Sequence, residues 1–137
     1  MWPFSRRKRY NGDVAAILPA LGVDMEEAGV MKLLNVLDIA WFDEQGQVIS
    51  PDAWNNPHER TLVLRRAAAD ADGKVPILTC LFNPTPEDRA FKLPPPRLAT
   101  RLLLDSADPA GPERDIVGDS LSVQARSVVL LRSVYRP

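Results

Sequence analysis

The sequence predicts an all-β protein, an antiparallel β-sandwich of about seven or eight strands, with a short helical or irregular N-terminal segment. Three observations carry this expectation. From residue 36 onward, short apolar runs recur at strand-like spacing, with turn residues between them. Thirteen prolines stand against only seven glycines, so proline is at about twice its usual share of ~5%. Proline at that density breaks long helices and punctuates short strands. Turn chemistry falls between the runs, at Asp43-Glu-Gln-Gly46, Asp70-Ala-Asp-Gly73 and Asn83-Pro-Thr-Pro86.

Two units divide the chain. Residues 1–35 form an N-terminal arm or linker, and residues 36–137 form the β-body. The arm opens with Arg6-Arg7-Lys8-Arg9, four of the seventeen basic residues, followed by a turn at Asn11-Gly12. Such a run reads either as the solvated end of a helix or as a nucleic-acid arm, and the first is preferred. Residues 13–36 read either as a short helix or as a loop with one helical turn. Asp24-Met-Glu-Glu27 has the form of an N-cap, and Ala28, Met31, Leu34 and Leu37 follow at helical spacing, while Gly29 weakens the pattern.

The strands follow in order. Residues 36–42 are apolar and aromatic, and 47–49 form a short return strand stopped by Ser50-Pro51. Residues 61–65 alternate, with Leu62 and Leu64 on one face. Residues 75–82 are the longest β-like run, and 89–93 alternate with Phe91 and Leu93 together. Pro94-Pro-Pro96 ends that strand, and residues 100–104 form the next, with a loop at 105–112. Residues 121–125 and 127–134 close the chain, separated by little more than Arg126.

Length and charge bound the function. At 137 residues the chain is one domain with enough length to bury a core. Seventeen Lys and Arg against eighteen Asp and Glu leave a net charge of −1, which gives no global drive toward nucleic acid or anionic membrane. No apolar run approaches the roughly 18–20 residues of a membrane span, and no secretory signal is read, because the N-terminal charges follow the apolar residues. A single cysteine excludes an internal disulfide and a cysteine-cluster metal site, so a cytoplasmic protein is expected.

Catalytic and cofactor signatures are absent. There is no phosphate-cradling glycine loop and no nucleophile elbow. Asp70, Asp72 and Gly73 begin like a calcium loop, but Leu81 stands where the closing Glu should be, so a hairpin turn is expected. Cys80, between Thr79 and Leu81, reads as a buried inert thiol. His58, the one histidine, follows Asn55-Asn56-Pro57 and reads as a surface or loop residue. Glycoside hydrolysis needs two carboxylates flanking a bond, and the neighbours Glu26/Glu27 and Asp43/Glu44 sit at a helix start and a turn. No catalytic residue, metal or cofactor is assigned. Trp54, in a Pro- and Asn-rich loop, is the candidate carbohydrate contact, because an exposed indole can stack on a sugar ring. The competing reading is that Trp54 and Trp41 both fill core or interface.

The order of features resembles one family. Asp38-Ile-Ala-Trp-Phe42, Gly46, Asp52-Ala-Trp-Asn-Asn-Pro57 and Arg60-Thr-Leu62 look like the segment just after the catalytic barrel in bacterial glycogen-debranching enzymes of the isoamylase type, in the α-amylase superfamily. In the same order, Pro76-Ile-Leu-Thr-Cys-Leu-Phe-Asn83 is similar to a strand ending in Asn, and Phe91-Lys-Leu-Pro94 to Phe-x-Leu-Pro. Leu102-Leu-Leu-Asp-Ser106 is similar to Leu-Leu-Asp-Thr, and Ala125-Arg-Ser-Val-Val-Leu-Leu131 to the last strand of amylase-type C-terminal domains. Pro3-Phe-Ser-Arg-Arg-Lys-Arg-Tyr-Asn-Gly12 is similar to the basic stretch ending the barrel's final helix. Two departures are visible: residues 13–36 are longer than the usual connection, and Ala99 stands where an aromatic residue is expected.

The resemblance implies a non-catalytic C-terminal β-domain whose parent hydrolyses α-1,6 linkages in glycogen. None of the family's three catalytic carboxylates has a matching motif here. The implied partners are the catalytic barrel, or a second copy through an orphaned apolar face, and an α-glucan bound weakly. Trp2, Phe4, Trp41 and Phe42 are the interdomain-face candidates. Other readings are a free-standing carbohydrate-binding or scaffold module, and a nucleic-acid or partner-binding protein using residues 6–9.

Overall fold

The computed structural model describes residues 36–136. The expected features at Trp2, Phe4, residues 6–9 and 13–35, and Glu26/Glu27 lie outside them. Among the described residues the fold is all-β and antiparallel, in two sheets. The large sheet holds β1 (Ile39–Phe42), β2 (Leu62–Ala67), β3 (Val75–Asn83), β8 (Ser127–Tyr135), β5 (Thr100–Asp105) and β6 (Arg114–Asp115), in that spatial order. The small sheet pairs β4 (Arg89–Lys92) with β7 (Ser120–Val123). One helical turn, α1 (Pro51–Trp54), interrupts the β1–β2 connection.

The small sheet lies on one face of the large one. Phe91 of β4 and Val123 of β7 are fully buried in one cluster with Phe42, Val63, Leu81, Leu102, Val129 and Leu131. A second cluster, Val36, Ala67, Val75 and Ile77, fills the other end of the same inner face. The layers are therefore unequal, six strands against two.

Alternation sets which residues enter this core. On β3 the buried residues are Val75, Ile77, Thr79, Leu81 and Asn83, every second position. On β2 they are Val63, Arg65 and Ala67, so Leu62 and Leu64 share the outer face and an arginine points inward. Arg65 is 3% exposed, its guanidinium lies 4.7 Å from the Phe42 ring centroid, and its Nη1 donates to the Pro95 carbonyl. Burial lowers its pKa to about 10.

Several local expectations are corrected. Residues 47–49 form no strand, only an isolated bridge between Phe42 and Val48. Ser50-Pro51 stops no strand. It starts α1, with the Ser50 Oγ accepting from the Ala53 N–H at 3.1 Å and Pro51 in the first turn. The two-residue β6 lies past the predicted 105–112 loop. Cys80 is half-buried on the outer face rather than inside the core, because it alternates with Thr79 and Leu81.

Asn83 joins the layers. Its Nδ2 lies 2.9–3.0 Å from the carbonyls of Glu87, Val123 and Gln124, and its Oδ1 accepts from Thr85 N–H and Oγ–H. A buried amide that is 1% exposed thus has its donors and acceptor satisfied. It ties the end of β3 to the start of β4 and the end of β7.

Candidate functional site

The β1–β2 connection builds the site. Asp43 folds the turn after β1, its Oδ1 accepting from the Gln45 and Gln47 amides at 2.9 Å each. The chain then reaches α1, whose last residue is Trp54. Asn55 ends the helix, its Nδ2 donating to the Pro51 carbonyl at 2.9 Å, and Asn56 Oδ1 accepts from the His58 amide at 3.0 Å. These local bonds hold the indole in place although the segment is exposed.

Trp54 is 53% exposed. Its ring meets Trp41 edge-on, with centroids 5.7 Å apart and planes at 73°. That is a favoured aromatic geometry, and it limits the orientations open to Trp54. Beside the indole runs a groove of about 250 Å³ lined by Asp43, Ile49, Ala53, Glu59, Arg60, Thr61 and Leu62. An apolar ring flanked by carboxylate acceptors and a guanidinium donor suits a ligand with an apolar face and hydroxyl edges.

The other predicted residues are placed as follows. Trp41 is half-buried on the outer face of β1 and braces Trp54. Phe42 does not join them. It is 3% exposed and packed in the inner core beneath Arg65, so it presents no interdomain surface. Its neighbour on the chain alternates to the opposite face, which is why adjacent aromatics have separate roles. His58 is exposed.

The Asp43/Glu44 pair is occupied structurally. Asp43 caps its turn, and Glu44 takes a forked ion pair from Arg89, at 3.0 and 3.1 Å, with Thr61 Oγ donating at 3.4 Å. Asp70 likewise caps a turn, accepting from the Asp72 and Lys74 amides at 2.9 Å each. Among the described residues no three His, Cys, Asp or Glu side chains gather as a metal site. No helix among them is long and apolar enough to cross a membrane.

A second cleft, of about 320 Å³, opens where the small sheet ends and the large sheet continues. Arg65, Thr79, Thr100 and Ser133 line its floor, and the last two hydroxyls are 2.9 Å apart. At its rim Arg97 Nη2 meets Asp119 at 2.7 Å, and this bond, with the charge behind it, holds the Asp119 carboxyl below its usual range. Sequence reasoning missed this cleft. Its residues come from separate strands, brought together by a topology no local pattern encodes.

No protein-family model matches the chain, and no curated protein matches it.

Proposed function

We propose that this chain is the C-terminal β-domain of a glycogen-debranching enzyme of the isoamylase type. In this reading it is cytoplasmic, performs no hydrolysis itself, steadies the catalytic barrel and gives an α-glucan a weak foothold. The observation that carries the reading is Trp54, which stands half-exposed on a capped turn beside a polar groove. Stacking on a preset indole orders few side chains, so a single contact can be felt. The collinear family-like segments supply the enzyme context. A free-standing carbohydrate-binding module is the second reading, favoured by the groove's being lined by this chain's own residues.

Titration calorimetry with maltoheptaose tests the foothold. The expected affinity is on the order of 1 mM, near −4 kcal/mol. Trp54→Ala should weaken binding at least fivefold. Tight binding untouched by that substitution would reject the site. The purified chain should also release no reducing sugar from glycogen or pullulan. Release that tracks pure protein and disappears with one Asp or Glu substitution would overturn the non-catalytic assignment.

A further inference from the structure

The cleft of about 320 Å³ beyond the end of the small sheet shares no described residue with the Trp54 groove. One side wall is the segment after β4, with Leu93, Pro94, Pro96 and Leu98. The other is the β6–β7 connection, with Ile116. Three bonds hold these walls in place. The Leu93 N–H donates to the Asp119 carbonyl at 2.7 Å, the Ile116 N–H donates to the Thr100 carbonyl at 2.9 Å, and Arg97 meets the Asp119 carboxylate at 2.7 Å. The space is preformed and mostly apolar at its sides, as small-molecule sites are.

The floor is polar, and its two ends differ. Thr100 Oγ1 donates its one proton to the Leu98 carbonyl at 3.0 Å. The 2.9 Å contact between Thr100 and Ser133 therefore takes its proton from Ser133. Both protons are committed, so this end of the floor offers lone pairs. At the other end Arg65 and Thr79 stand directly opposite each other on β2 and β3. Thr79 is 8% exposed, and its hydroxyl makes no hydrogen bond to a described residue. Such a buried hydroxyl carries a desolvation cost that a ligand atom can remove. Arg65 brings a cation to the same spot, while Arg97 and Asp119 neutralise each other at the rim. A hydroxyl donor beside a cation, under apolar walls, selects an anionic acceptor on an apolar body. We infer that this cleft binds a small monocarboxylate, with its carboxylate on Thr79 and Arg65 and its hydrocarbon part between Pro96, Leu98 and Ile116. A dianion such as inorganic phosphate is the poorer occupant, because it sets a second charge among apolar walls.

Octanoate is the probe, with octanamide as its neutral counterpart. In the ¹⁵N-labelled full chain at neutral pH, octanoate should shift the Thr79, Thr100, Gly118 and Ser133 amides saturably, with half-saturation at about 1 mM or below. Octanamide should bind about tenfold more weakly, because the charge-assisted bonds are lost. Thr79→Val keeps the side-chain shape and removes only the hydroxyl. It should weaken octanoate by about fivefold or more, with a urea midpoint no lower than the parent's, since no bond to a described residue is broken. Arg65→Met should weaken octanoate at least as much. Absence of saturable shifts up to about 10 mM octanoate, equal binding of octanamide, or parental affinity in Thr79→Val would each overturn the proposal. Shifts gathered instead at Leu64, Leu78 and Leu130 would overturn it in favour of loose association with the sheet's outer face. No readout involves glucan, so its failure leaves the Trp54 site untouched.

Discussion

A guanidinium stacked on Phe42 and bonded to the Pro95 carbonyl occupies a core position on β2 where an aliphatic side chain is usual. Its apolar stem packs with the strand while its planar head uses the ring face and a backbone acceptor. Arg65→Ala should lower stability by about 2–4 kcal/mol, since it empties packed space in the core and removes the donor to the Pro95 carbonyl. Arg65→Met, which keeps the stem, should lose less than half as much. Urea unfolding of both variants checks this, and an alanine variant within about 0.5 kcal/mol of the parent would refute the assigned role. Below about pH 10 Arg65 is charged in the folded and unfolded chain alike, so it adds no pH slope near neutrality. Above that pH the unfolded chain holds the proton more tightly, and the sign is toward greater stability as pH rises. The sequence around Arg65 shows period-two alternation but not its phase. Leu62 and Leu64 look like the core face, yet Val63 and Ala67 fill it. Both faces of β2 are apolar, and alternation between two apolar sets carries little information about which points inward.

Elements with strong local chemistry were legible. β3 has nine residues between a glycine turn and a proline stop, and Asp70 closes its preceding turn as the sequence suggests. β6 was not legible, because two residues held only by pairing to β5 have no periodicity of their own. α1 was hidden because Ser-Pro reads equally as the stop of a strand and as the N-cap and first residue of a helix, and only the second holds here. Between elements, Asn83 is the main polar tie. Asn83→Ala should cost about 2–4 kcal/mol, because carbonyls on both sheets' connections lose their donor in a buried place. A chemical melt reads this directly, and a loss below about 1 kcal/mol would show that water replaces the amide. The Arg97–Asp119 bridge joins the Pro94-Pro-Pro96 stretch to the β6–β7 connection. Because the folded Asp119 pKa is lowered by the Arg97 hydrogen bond, its contribution is present above the ordinary carboxylate pKa and is lost as pH falls through the lowered value. Asp119→Asn should therefore flatten the acid limb of the stability profile, and an unchanged limb would remove the bridge from the account.

At the scale of the molecule, the all-β antiparallel class was legible from spacing and turns, while the sheet order was not; the expected number of strands is reached only because the absent strand at 47–49 is offset by the unforeseen β6. β8 sits between β3 and β5, pairings of long sequence separation that depend on which rows of side chains fit. The same limit applies to the site. Trp54 stood out as an aromatic in a polar loop, but Asp43, Glu59 and Arg60 join it only through the fold of the β1–β2 connection. The central claim is that an α-glucan meets this molecule at that groove. The most direct measurement is a titration of the ¹⁵N-labelled full chain with maltoheptaose, followed by backbone and indole N–H shifts. The account predicts saturable shifts centred on the Trp54 indole, Ala53, Glu59 and Thr61, and their loss in Trp54→Ala. Absence of shifts at millimolar sugar, or shifts gathered instead around Arg97, Thr100 and Asp119, would contradict it.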